Sequence, residues 1–268
     1  PNRLLRNNGD GTFSPSLLAE QLALADVRSS SAVWADYNND GWLDLYVVNW
    51  GANQLFRNEA GQGFTDVTAE AGVGDMTNGK SASWGDYDED GFLDLYVANW
   101  SCTPNCGRPS EGDKDNLYHN NGDGTFTDVA DLLSHQTWGA GFIAGFVDFD
   151  DDGDLDIYLV NDEFLNPVGN ALWRNDGAGC DGWCFTDVSQ AAGADQRVMG
   201  MGLAVGDPDN DLDFDFYFSN VGPMTLLVNQ GDGKFVDKAE DAGVRLSEAI
   251  GWGSVFLDYD NDGRQDLY

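Results

Sequence analysis

The stretch "DYNNDGWLDLYVVNW", residues 36–50, decides the fold. It packs three acidic side chains and two amides into its first nine positions, then turns into a β-branched and aromatic run. Two carboxylates about 4 Å apart repel by roughly 4 kcal/mol at an effective dielectric near 20, so a loop this acidic calls for a cation to close it. Oxygen donors at alternate positions of a tight loop suit a hard ion, and Ca²⁺ takes about six to eight of them in flexible geometry.

The stretch recurs. "SAVWADYNNDGWLDLYVVNW" (31–50) returns as "SASWGDYDEDGFLDLYVANW" (81–100), "AGFVDFDDDGDLDIYLVND" (144–162), "LAVGDPDNDLDFDFYFSN" (203–220) and "GSVFLDYDNDGRQDLY" (253–268). The first Asp of successive loops falls at 36, 86, 148, 207 and 258, a period of 50 to 62 residues. Between them a second unit repeats: "PNRLLRNNGDGTF", "ANQLFRNEAGQGF", "KDNLYHNNGDGTF", "GNALWRNDGAGCDGWCF" and "MTLLVNQGDGKF".

Each period reads as four short strands: small and large residues alternate before the acidic loop, "LDLYVV" after it alternates and is rich in residues that suit a pleated surface, "NQLFRN" alternates again, and "FTDVT" closes the unit. "NGDG" between the third and fourth strands predicts a two-residue hairpin turn. Residues 16–27, "SLLAEQLALADV", carry the one helical pattern and read as a short helix or irregular loop. Four antiparallel strands per repeat predict an all-β chain folded as a β-propeller, with a flat β-solenoid as the competing reading. The organisation expected is a single propeller over 1–268. It has a partial blade at 1–35, repeats beginning near 36, 86, 148 and 207, and a terminal half-blade at 253–268. Either the two ends complete one blade of a five-bladed ring, or the chain is a portion of a propeller of about six to eight blades.

The five loops follow DxDxDGxxD, with Asn allowed at the third position. The candidate ligands are Asp36, Asn38, Asp40 and Asp44; Asp86, Asp88, Asp90 and Asp94; Asp148, Asp150, Asp152 and Asp156. Asp207, Asp209, Asp211 and Asp215 form the fourth set, and Asp258, Asp260, Asp262 and Asp266 the fifth. Position seven adds a backbone carbonyl from Trp42, Phe92, Asp154, Asp213 or Arg264. The loop departs from an EF-hand at its twelfth position, where Val47 or Val97 stands in place of a bidentate Glu. Glycine at position six permits a sharp turn in four loops. Leu212 holds that place in the fourth, which is therefore expected to bind weakly, take another path or stay empty. Turns and Asx caps on a solvated rim are the alternative for any one loop, but they do not require an Asp inside the following strand.

With 47 Asp and Glu against 13 Lys and Arg, the net charge is −34. Such a chain repels nucleic acid and anionic membrane surfaces. Nine Trp, nine Tyr and fifteen Phe argue for a folded core over acidic disorder. No apolar run is long enough to insert into a membrane. The missing initiator Met and leader lead us to expect a mature product or an excised piece. The cysteines form two close pairs, Cys102 with Cys106 and Cys180 with Cys184. Short-range disulfides in an oxidising compartment explain them, with zinc binding or free thiols as alternatives. Only two histidines occur, His119 in a strand where other copies carry Arg and His135 in a loop, so no repeated acid–base pair stands out for catalysis.

The units "DYNNDGWLDLYVVN" and "NQLFRNEAGQGFTDVT" resemble the FG-GAP/VCBS repeat. "NRLLRNNGDGTF" and "DVTAEAGV" are similar to the secreted cartilage acidic protein family and its bacterial ASPIC/UnbV-type relatives. The resemblance implies an extracellular, periplasmic or cell-surface β-propeller loaded with up to five Ca²⁺ at the residues named above. Five metal loops with no accompanying catalytic set point to a non-enzymatic binding or adhesion scaffold whose partner is an extracellular protein or glycan. A glycan-binding propeller is the alternative, and a polysaccharide-active enzyme a further one. Trp50 and Trp100 end equivalent strands, where they either stack on a sugar or fill space between blades. Trp34, Trp84 and Trp252 read as core, and the insertion at 102–115 as a place to graft a partner site.

Overall fold

A computed structural model describes residues 2–24, 27–100, 113–133, 138–165, 167–180 and 182–268. Cys102, Cys106, His135 and most of the 102–115 insertion lie outside the described residues. The order of elements follows the repeat. A hairpin of β1 (Leu5–Asn7) and β2 (Phe13–Pro15) comes first. Four sheets of four antiparallel strands follow: β3 (Arg28–Ala35) to β6 (Phe64–Asp66), β7 (Gly79–Gly85) to β10 (Phe126–Asp128), β11 (Gly141–Val147) to β14 (Gly182–Asp187), and β15 (Gly202–Gly206) to β18 (Phe235–Asp237). A pair, β19 (Phe256–Leu257) and β20 (Asp266–Leu267), completes the series. In each sheet the strands pair in chain order, as a propeller blade requires.

Period-two alternation places the core between blades. Each second strand sends alternate side chains to opposite neighbours. In β4 (Asp44–Trp50), Tyr46 and Val48 join Leu95 and Val97 of β8 (Asp94–Asn99). From the other face of β8, Tyr96 and Ala98 meet Ile157 and Leu159 of β12 (Asp156–Asn161). Tyr158 and Val160 of β12 then meet Phe216 and Phe218 of β16 (Asp215–Ser219), and the Tyr158 and Phe216 rings stack 4.4 Å apart. These strands are buried on both faces, so they read as unbroken apolar runs. The tyrosines satisfy their hydroxyls: Tyr46 donates to the Val73 carbonyl at 2.9 Å and Tyr158 to that of Ala194 at 3.1 Å.

Residues 16–27, read as a short helix or irregular loop, hold a 3₁₀ turn, Ala19–Leu22, among the described residues. Two sequence expectations need correction. The "NGDG" connection is longer than two residues: Asn120 pairs with Phe126, and Gly122 and Gly124 both take positive φ around an Asp123 carboxylate that accepts the Thr125 amide. Trp84 is packed as expected, stacked on Tyr37, but Trp34 and Trp252 are 43% and 63% exposed. Trp84 lies between two four-stranded blades, whereas the others belong to a blade flanked on one side by the β1–β2 hairpin and to the β19–β20 pair. Between β13 (Ala171–Gly179) and β14, a disulfide joins Cys180 and Cys184.

Candidate metal centres

Each acidic loop connects the first strand of a blade to the second, and all five loops take one backbone path. Position four sits in the left-handed region in every copy, at Asn39, Glu89, Asp151, Asn210 and Asn261 with φ from 56° to 60°. Position six does the same, at Gly41, Gly91, Gly153, Leu212 and Gly263. The first Asp grips the turn from inside. Asp36 Oδ2 accepts the amide of Gly41 at 2.8 Å, Asp86 that of Gly91 at 3.0 Å, and Asp258 that of Gly263 at 2.9 Å. The fifth-position Asp accepts the amide of residue seven, as Asp40 does from Trp42, Asp90 from Phe92, Asp152 from Asp154, Asp211 from Asp213 and Asp262 from Arg264.

The fourth loop keeps this path without glycine. Leu212 adopts φ 80°, its amide still donates to Asp207 Oδ2 at 3.1 Å, and its side chain is 82% exposed. A β-carbon in that region costs about 1–2 kcal/mol, so this loop stores strain that the others avoid.

Carboxylate oxygens converge. One oxygen each of Asp86, Asp88 and Asp94 lies within 4.8 Å of the others, and the same holds for Asp148, Asp150 and Asp156. Asp207, Asp209 and Asp211 converge likewise, as do Asp258, Asp260 and Asp262. In the first loop the amide of Asn38 replaces one carboxylate and donates to Asp40 at 3.1 Å. The ninth-position residues Asp44, Asp94, Asp156 and Asp215 are buried. Burial, reinforced by neighbouring carboxylates, pushes Asp44 up to about 6, Asp215 to about 7, and Asp94 and Asp156 to about 8. Several oxygens have no hydrogen-bond donor at all: Asp44 Oδ2, Asp215 Oδ2, Asp88 Oδ1, Asp148 Oδ1 and Asp150 Oδ1. Buried, convergent and donor-free oxygens are costly unless a cation meets them, and this donor set fits a hard divalent ion.

The sequence reading missed an asparagine in the third strand of each four-stranded blade. Its backbone amide donates to the ninth-position Asp: Asn58 to Asp44 at 2.7 Å, Asn120 to Asp94 at 2.8 Å, Asn175 to Asp156 at 2.7 Å and Asn229 to Asp215 at 2.8 Å. Its side chain reaches into the preceding blade's loop. Asn120 Nδ2 donates to the Tyr37 carbonyl at 2.9 Å, Asn175 to that of Tyr87 at 2.7 Å, and Asn229 to that of Phe149 at 2.7 Å. The recurring Asn in "LFRN", "LYHN", "LWRN" and "LLVN" was the available signal.

At the opposite end of the blades, Trp50 and Trp100 lie 6.4 Å apart and Phe142 is 6.5 Å from Trp100. The Lys80 ammonium sits over all three rings, nearest Trp100 at 4.4 Å. Lys80 and Phe142 fall at register breaks in their strands, bulges that re-aim a side chain. Trp100 donates its indole N–H to Asp162 at 2.9 Å, whereas Trp50 remains 43% exposed.

The family model for the FG-GAP-like repeat matches residues 1–47, 36–97, 106–159 and 207–268, which is most of the chain. The chain belongs to the FG-GAP-like repeat family. Among curated relatives, cartilage acidic protein 1 from Homo sapiens is 32% identical over 133 residues, and its Mus musculus counterpart is 31% identical over 133 residues. Each alignment takes in 48% of this chain, and about a fifth of the relative, 20% and 21%. Among solved structures, an Agrocybe aegerita lectin described as recognising non-reducing terminal N-acetylglucosamine superposes with a TM-score of 0.54 at 20% identity. That match covers 98% of this chain and 67% of the lectin. At that identity the likeness speaks to the fold alone.

Proposed function

We propose that this FG-GAP repeat chain is an extracellular, non-enzymatic binding scaffold whose rigidity depends on Ca²⁺ held in the five acidic loops. The observation carrying this reading is that five loops share one backbone path, four of them bring carboxylate oxygens within 4.8 Å of one another, and the first four hold buried oxygens that no hydrogen-bond donor meets. The side chains at positions one, three, five and nine and the carbonyl at position seven would hold the ion. The ion supplies the positive charge that lets those carboxylates sit together. The protein contributes the αL turns, the amide grips on the first Asp, and the Asn clasp from the next blade. The Cys180–Cys184 disulfide supports an oxidising location. With free Ca²⁺ tenfold above a site's dissociation constant, each site adds about 1.4 kcal/mol to folding stability. Differential scanning calorimetry with and without a chelator tests the reading, and an unchanged melting temperature refutes it.

A second reading, glycan binding, is favoured by one feature, the exposed face of Trp50 beside Lys80. The fold it shares with a lectin is compatible with that reading. A sugar's C–H face stacks on such an indole. Loss of glycan-array signal in a Trp50→Ala protein that keeps its Ca²⁺ response supports this reading; an unchanged array or no signal at all removes it.

A further inference from the structure

The second loop differs from its copies in what faces it. In β9 (Asn116–Asn120), His119 pairs across the hairpin with Thr127, as Arg57 does with Thr65 and Arg174 with Thr186. Those arginines pair with a carboxylate two residues along the chain, Arg57 with Glu59 at 3.0 Å and Arg174 with Asp176 at 2.7 Å. His119 turns inward. Its Nδ1 lies 3.2 Å from Asp88 Oδ2 and 3.4 Å from Asp94 Oδ1. That nitrogen is shut off from solvent and has no partner in hydrogen-bonding geometry. The buried Tyr87 ring packs 6.2 Å from the imidazole and helps fix its orientation. One ligand atom each of Asp88, Asp90 and His119 lies within 4.8 Å of the other two.

We propose that the second loop binds a zinc-type transition-metal dication through Asp88, Asp90 and His119 Nδ1. Carboxylate and carbonyl oxygens select Ca²⁺ and Mg²⁺, whereas an imidazole nitrogen added to the set shifts preference toward zinc and its neighbours. Three protein ligands from nitrogen and oxygen also leave a fourth tetrahedral position for water. Among the described residues no other loop is faced by a histidine. Asp88 and Asp90 are also the third- and fifth-position ligands proposed for Ca²⁺, and Asp88 converges with Asp86 and Asp94, so the two kinds of ion compete for the same carboxylates. The second blade thereby becomes a place where a transition ion replaces Ca²⁺ while the remaining loops keep it.

The test uses the whole chain in millimolar Ca²⁺ and Zn²⁺ as the probe. With only two histidines, the imidazole ¹H–¹⁵N NMR spectrum separates the candidate from His135. The expected result is saturation at one equivalent of Zn²⁺ with the metal-bound shift at His119 Nδ1. Titration calorimetry should show a loss of about 100-fold in Zn²⁺ affinity for His119→Arg. That variant installs the residue the neighbouring blades carry, and His135→Gln should leave the affinity unchanged. A shift confined to His135, equal affinity in His119→Arg, or no Zn²⁺ uptake by the wild-type chain overturns the proposal. The heat of Ca²⁺ binding, measured separately on His119→Arg, reports on the calcium reading independently.

Discussion

Replacing Asp94 by Asn separates what this residue does for the fold from what it does for an ion. Asp94 is fully buried, its Oδ1 accepts the Asn120 amide at 2.8 Å, and its Oδ2 accepts the Tyr87 amide at 3.1 Å. Asn preserves the shape and one acceptor, but its NH₂ must face one of those two amides. The mismatch costs roughly 1–2 kcal/mol with or without metal. With Ca²⁺ the loss is larger. Loss of a mere outer partner of a metal ligand costs about 10–100-fold in affinity, so loss of a charged ligand oxygen is taken at the upper end, about 100-fold. At tenfold saturation that erases nearly all of the site's contribution of about 1.4 kcal/mol. At about 2–4 °C per kcal/mol for a chain of this size, the melting temperature should fall by about 3–6 °C more in Ca²⁺ than in chelator. Calorimetry of Asp94→Asn and wild type under both conditions measures that difference. Equal drops would mean that Asp94 is only a strand fastener and that the second loop does not hold the ion.

Leu212→Gly should raise stability in chelator by about 1 kcal/mol, since it relieves a positive-φ side chain that is exposed and buries nothing; a lower midpoint in urea unfolding would contradict this. In chelator the melting temperature should fall as pH rises from 5 to 8. Asp94, Asp156 and Asp215 keep protons in the fold up to about pH 8, 8 and 7, while the unfolded chain releases them near 3.8, so stability present in acid is lost through that window. Saturating Ca²⁺ should flatten the profile, and a parallel slope in both conditions would disprove the link. Asn175→Ala should cost about 3 kcal/mol without changing the urea m-value. It strips donors from the Tyr87 and Leu155 carbonyls and an acceptor from Gly177 and Trp183; a loss below about 1 kcal/mol would show that the clasp is dispensable.

Repetition made the fold legible. Alternating runs after each acidic loop predicted second strands, and in the four full blades those strands prove buried on both faces with alternate residues serving alternate neighbours. The acidic positions were visible for the same reason, since like charge at fixed spacing has few structural uses. What escaped was whatever depends on neighbours across the seam. Trp34 and Trp84 occupy the same repeat position, yet only Trp84 has a full blade on each side. Asn120 and its equivalents read only as strand residues, because the partners of the Asn120, Asn175 and Asn229 side chains lie in the preceding repeat. The inward turn of His119 was equally hidden, because the sequence names the residue but not the side on which it lands. Leu212 shows the opposite error: the other contacts of the fourth loop outweigh a local preference that argued against its path.

In the first three loops the asparagine clasps point backward along the chain, the carbonyls of Tyr37, Tyr87 and Phe149 being held by side chains 80 to 88 residues downstream. A growing polypeptide therefore finishes each of these loops only after the next repeat has emerged as far as its third strand. Any ion waiting outside meets the loops half-made, and assembly runs as a relay in which every newcomer locks its predecessor.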